Sequence, residues 1–87
     1  MGQAQRNDNQ SWLDPKFVQI SRTEAARIIG RSPTEFDRLR KVDADCPKGF
    51  KDGVDRSARV RFRLSDVYRY SGILMARAEE AESQDQR

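Results

Sequence analysis

The chain has 87 residues, with 17 Lys and Arg against 14 Asp and Glu, one cysteine and no histidine. A chain this long supports one small domain with a modest core, since folding buries only about 60–65% of the unfolded surface. The missing histidine excludes a histidine base and the usual Cys/His zinc site, and the lone Cys46 excludes an internal disulfide. Cys46 before Pro47 reads as a small packed residue. No long apolar run suggests a transmembrane helix. The opening MGQAQRNDNQ lacks the apolar stretch of a signal peptide, so a cytoplasmic protein is expected.

The net charge is only +3, but it is unevenly spread. Residues 21–42 carry six basic and three acidic side chains, residues 43–64 six and four, and residues 65–87 three and five. The basic excess therefore lies in the middle of the chain and the acidic excess at its end. Clustered Lys and Arg are the electrostatic footprint of a phosphate-binding surface; the alternative is a solvated mixed-charge surface.

Residues 1–11 are polar and unpatterned and are expected to form a disordered tail before a domain at 12–78. Asp14-Pro15 predicts a turn, and Phe17 to Ile20 a short strand. Trp12 is expected to cover the edge of the core, or to meet a partner. Ser21 and Glu24 then make an S-x-x-E capping box, with Ile20 and Ala25 as its hydrophobic staple. Ala25, Ala26, Ile28 and Ile29 form one apolar face of a helix over 22–29, which Gly30 ends. Ser32, Pro33 and Glu35 start a second helix over 33–41, with Phe36 and Leu39 inward. Two capped helices around a glycine turn are a helix-turn-helix pattern. On the second helix Thr34, Asp37, Arg38 and Lys41 lie largely on the outer side. Arg pairs bidentately with guanine and Asp accepts from cytosine, so these residues are candidate major-groove readers. Arg38, Arg40 and Lys41 also fit the ordinary cationic last turn of a helix, and Glu35 reads as a capping residue rather than a base reader.

VDADCP breaks the helix, and residues 48–63 predict a hairpin whose first strand is marked by Phe50. From Arg59 to Arg63 the pattern alternates strictly. Val60 and Phe62 face the core against Ile28, Phe36 and Leu39, while Arg59, Arg61 and Arg63 stand in a row on the outer face. The tip carries Arg56 and the turn former Asp52-Gly53. A basic hairpin after a helix-turn-helix is a wing, and Arg56, Arg59, Arg61 and Arg63 are its candidate contacts to backbone or minor groove. Ser65 is expected to cap a third helix packed through Val67, Tyr70, Leu74 and Ala78, with Gly72 allowing close packing. Glu79, Glu80 and Glu82 oppose the helix dipole, so the helix should fray near residue 80 and leave 79–87 as a disordered acidic tail.

The expected fold is therefore mostly α with a small β hairpin, a winged helix-turn-helix. Through ISRTEAARIIGRSPTEFDRLRK, CPKGFK and RVRFRLSDVYRY the chain resembles the MerR-like winged-helix family of excisionases and AlpA-type regulators of phages and mobile elements, over roughly residues 18–75. The resemblance implies a second helix in the major groove, through Thr34, Asp37, Arg38 and Lys41, and a wing on the minor groove, through Arg56, Arg59 and Arg61. It also implies binding to adjacent sites and DNA bending for an integrase, or regulation of the element's genes. Double-stranded DNA is the expected partner, with an integrase or further copies of the chain beside it. No cofactor, small-molecule substrate or membrane is expected, and no enzymatic motif is present. The alternative is a protein-interaction module that uses Trp12, the tyrosines and the acidic tail on a winged-helix scaffold.

Overall fold

The computed structural model describes residues 14–54 and 59–85; the expectations for residues 1–11, for Trp12 and for Arg56 lie outside them. Asp14 opens a single 3-10 turn, Pro15–Phe17, by accepting the Lys16 amide at 3.0 Å. The strand after it, β1, is only Gln19–Ile20. Phe17 belongs to the turn and stands exposed, because Pro15 and the Asp14 cap curl the chain before it can extend.

The first helix, α1 (Arg22–Ile28), starts on the full capping box. The Glu24 amide donates to Ser21 Oγ and the Ser21 amide to Glu24 Oε1, each at 3.1 Å. Ile20 and Ala25, on either side of the cap, are both buried as a staple requires. At its end the Arg31 amide donates to Ala26 O at 2.9 Å and Gly30 to Arg27 O at 3.1 Å, with Gly30 at φ +73°. This is a Schellman stop, and the left-handed φ is what glycine supplies. One residue later Ser32 caps the second helix, α2 (Pro33–Val42), with its Oγ on the Glu35 amide.

Strands β2 (Phe50–Lys51) and β3 (Val60–Arg63) pair antiparallel, Phe50 opposite Arg61 and Lys51 opposite Val60. β3 also pairs with β1, Ile20 opposite Phe62, so the sheet order is β1-β3-β2. Gly49 enters β2 at φ +83°, where an added Cβ would lie 2.7 Å from side-chain atoms of both Phe62 and Val60. The third helix, α3 (Leu64–Asp85), follows β3 directly. Ser65 therefore lies inside it and is not its cap. The Leu64 amide instead donates to Val18 O at 2.9 Å, so the residue between the 3-10 turn and β1 satisfies the helix's first donor.

Among the described residues the protein is mostly helical, with three α-helices and a small three-stranded antiparallel sheet. Ile20, Ala25, Ala26, Ile29, Phe36, Cys46, Phe62, Val67 and Tyr70 form the core, so every helix and two strands contribute to it. Phe36 and Phe62 meet at 5.0 Å with rings tilted by 56°. Cys46 is packed as expected, and burial pushes its thiol pKa up. Leu74 still touches the core, but Ala78 is exposed, as is every residue from 75 to 83. The helix nevertheless continues to Asp85 in place of the expected fraying near residue 80 and unstructured tail. Ala and Glu favour the helix enough to outweigh the unfavourable end charges. No helix among the described residues is long and apolar enough to cross a membrane.

A polar knot fastens α3 to the segment after α2. The Tyr70 hydroxyl donates to Asp43 Oδ2 at 2.7 Å, and Arg77 donates to Asp43 Oδ2 at 2.6 Å and Asp45 Oδ2 at 2.7 Å. The Arg77 guanidinium, then the Tyr70 hydroxyl, hold the Asp43 carboxyl well below the usual carboxylate range. Burial, then the bond to Asp43, pushes the Tyr70 phenol up.

A depressed folded pKa gives stability that is full above the unfolded value, near pH 4, and is lost as pH falls through the folded one. Asp43→Asn should lower the thermal midpoint at pH 7 and flatten the acid limb below about pH 4, as thermal melts across pH will show. An added Cβ at Gly72 meets nothing within 4 Å, so this glycine does not serve close packing. Gly72→Ala should stabilise by about 1 kcal/mol in urea unfolding. Gly49→Ala should destabilise the domain by more than that, through both φ and the clash with Phe62.

Candidate nucleic-acid interface

Because α2 buries Phe36 and turns Leu39 inward, its opposite side carries Thr34, Arg38 and Lys41, all exposed. Three of the four expected groove residues therefore share one stripe. Asp37 stands at its edge, and its carboxylate is already engaged. Arg22 Nε donates to both Asp37 oxygens at 3.0 Å, and Arg40 Nη1 reaches Oδ1 at 3.3 Å. These bonds clasp the start of α1 to the middle of α2. The Arg22 guanidinium holds the Asp37 carboxyl below its ordinary pKa, so the clasp stays charged at neutral pH.

Arg40, by residue type an ordinary cation of the last helical turn, has a larger role in the structure. Its guanidinium lies over the Phe62 ring, 5.0 Å from the centroid, and its Nη2 donates to Lys48 O at 3.0 Å. Lys48 Nζ in turn donates to the Arg40 carbonyl. Arg40 Nε is buried without a partner. Arg40 thus joins α2, the 43–49 segment and β3. An arginine two residues before a helix end is a weak signal of this, and only the partners far along the chain reveal it.

Two open grooves meet at this clasp. One is lined by Arg22, Asp37, Arg40, Lys41 and Lys48, the other by Ser21, Arg22, Thr23, Arg40, Arg59, Val60 and Arg61. Arg22 and Arg40 belong to both, so the grooves form one basic face from α1 and α2 to β3. Its acidic complement is slight: Asp37 within it, and Asp52 3.7 Å from Arg61 Nε. Such a face suits a polyanion, since each cation that meets a phosphate releases a counterion.

The expected row of arginines on β3 is split. Arg59 and Arg61 border the basic face, Arg61 half-buried. Arg63 lines other depressions, one with Lys16, Phe17, Gln19 and Phe50, and one with Asp66. Its Nη1 donates to Lys16 O at 3.0 Å, and Asp66 lies 3.9 Å from its Nε. Its place where β3 meets α3 ties it to the backbone before β1. On α2, Glu35 gives its amide to Ser32 but not its carboxylate, so this cap, unlike that of α1, is half of a capping box. The carboxylate instead accepts from Arg38, whose Nε lies 3.0 Å from Oε1. Among the described residues no three His, Cys, Asp or Glu side chains gather as metal ligands.

Comparison with protein-family models, with curated proteins and with solved structures finds no match, so the chain's own residues carry the functional argument.

Arg40 supports structure as well as charge, while Lys41 carries charge alone. Arg40→Ala should cost roughly 1–2 kcal/mol, from lost hydrogen bonds and lost stacking on Phe62. Lys41→Ala should leave the unfolding midpoint within about 0.5 kcal/mol of the parent. Urea titrations of the two variants side by side test the distinction.

Proposed function

We propose that the protein binds double-stranded DNA sequence-specifically as a small winged helix-turn-helix, acting as an excisionase or an AlpA-type regulator. The observation that carries this reading is the continuous basic face joining α1, α2 and β3, set beside the exposed stripe of Thr34, Arg38 and Lys41. In this reading the stripe enters the major groove, and Arg59 and Arg61 follow the phosphates or the adjacent minor groove. Arg22 and Lys48 contact phosphate, and Arg40 holds the surface together. Asp37 keeps Arg22 and Arg40 apart from each other's charge instead of reading a base. Excisionase action adds bending and adjacent copies on DNA for an integrase, whereas a regulator needs one operator.

A second reading, a protein-interaction module, draws on the exposed Tyr68 and Met75, which lie seven residues apart on one side of α3 above the acidic end. It predicts that DNA affinity is weak and independent of sequence.

Selection from a randomised duplex pool, followed by titration at several salt concentrations, separates the two. A recovered motif with a log–log salt slope of about −4 to −6 is expected. Arg59→Ala and Arg61→Ala should each reduce the slope by about 1 and weaken all sequences alike. Tandem repeats of the motif with bent complexes mark an excisionase, and a single unbent site a regulator. No motif at all would overturn the DNA reading and leave the exposed side of α3 as the place to seek a protein partner.

A further inference from the structure

We propose that Glu35 is a positioning residue that presents Arg38 to a guanine, so that the protein demands a G·C pair at one position of its site. This rests on the DNA-binding reading above. A guanidinium offers hydrogen bonds along two useful edges, the side edge of Nε and one Nη, and the end edge of both Nη atoms. In Arg38 the side edge is filled: Nε donates to Glu35 Oε1 at 3.0 Å and Nη2 donates to Oε2. Nη1 and the outer proton of Nη2 have no partner among the described residues. They form a forked donor pair, the pattern that guanine N7 and O6 accept in the major groove.

The holder is itself fixed. Glu35 lies one turn before Arg38 on α2, its amide is bound to Ser32 Oγ at 3.1 Å, and Pro33 sets the start of the helix. Arg38 is exposed and takes no part in the core. Without Glu35 the arginine must be ordered when DNA arrives; with it, the end edge is already aimed. The pair resists titration, since the bond from Arg38 holds the Glu35 carboxyl below its ordinary value.

The alternative is that Glu35 and Arg38 are only an ion pair three residues apart that steadies the helix. The two roles give opposite results on DNA. A carboxylate near phosphates repels them, so a merely structural Glu35, once neutralised, should let every duplex bind equally or more tightly. A positioning Glu35, once neutralised, should lose discrimination.

The test uses the full chain and the duplex that the wild-type protein selects. Each guanine is replaced in turn by 7-deazaguanine, which lacks N7, and each G·C pair by A·T. The wild type should lose roughly 5- to 150-fold affinity at one guanine. Arg38→Ala should abolish that difference. Glu35→Gln, with its fold checked by circular dichroism, should cut it at least threefold while affinity for an unrelated duplex stays level or rises. Glu35→Asp, with a shorter arm, should behave as Glu35→Gln, whereas an effect of charge alone would leave it like the wild type. Full discrimination in Glu35→Gln, or a guanine preference that survives Arg38→Ala, overturns the inference and leaves DNA binding standing. If the wild type selects no motif, the DNA reading fails and this inference fails with it.

Discussion

The ring of Phe62 is the contact on which both the core and the basic face depend. One face of it meets Phe36 of α2, and its strand position opposes Ile20 of β1. The Arg40 guanidinium lies over it, and Gly49 passes so close that no side chain fits there. A single buried aromatic therefore sets how α2 sits on the sheet, where the chain turns into β2, and where a central cation of the surface is held. Packing is unforgiving of volume change at such a position. Any shift of Phe62 moves Arg40, and Arg40 carries Lys48 and Asp37 with it.

A surface with many cations must also answer its own repulsion. Asp37 does this at the centre, bonded to Arg22 on one side and Arg40 on the other, and Asp52 does it beside Arg61. The carboxylates of these pairs remain open to water, so each ion pair by itself adds little to folding. What they secure is placement, because each carboxylate holds a long, flexible cation in one position. The same logic accounts for an acidic residue within an otherwise basic helix. On spacing alone Asp37 is as good a base reader as Arg38, but its oxygens already have partners.

What the sequence made legible was local. Caps at Ser21 and Ser32, the Gly30 stop and the alternation through Val60 and Phe62 involve neighbours a few residues apart, and residue type alone signals them. The outward stripe of α2 follows from the same periodicity. The knot of Asp43 with Tyr70 and Arg77 joins residues 27 and 34 positions apart, and no local pattern marks it. Ser65 has the residue type of a cap, and nothing nearby in sequence shows that the Val18 carbonyl accepts the Leu64 amide. Arg63 continues the alternation of Arg59 and Arg61, yet the Lys16 carbonyl holds it elsewhere. The acidic end differs for another reason: the strong helix propensity of its Ala and Glu residues outweighs the dipole penalty, and the helix runs to Asp85.

That acidic end bears on how a polyanion would approach. Arg77 is committed to Asp43 and Asp45, so it does not offset the glutamates that follow. Glu79, Glu80 and Glu82 are exposed on helical turns beyond the last core contact at Leu74. A disordered tail could fold back over Arg22 and Lys48 and compete with a bound phosphate. A helix fastened at Tyr70 and Arg77 is held to one course and denied that freedom. The molecule thus presents attraction on the face of α1, α2 and β3 and repulsion at the end of α3. Charge asymmetry of this kind favours one orientation of encounter over its reverse.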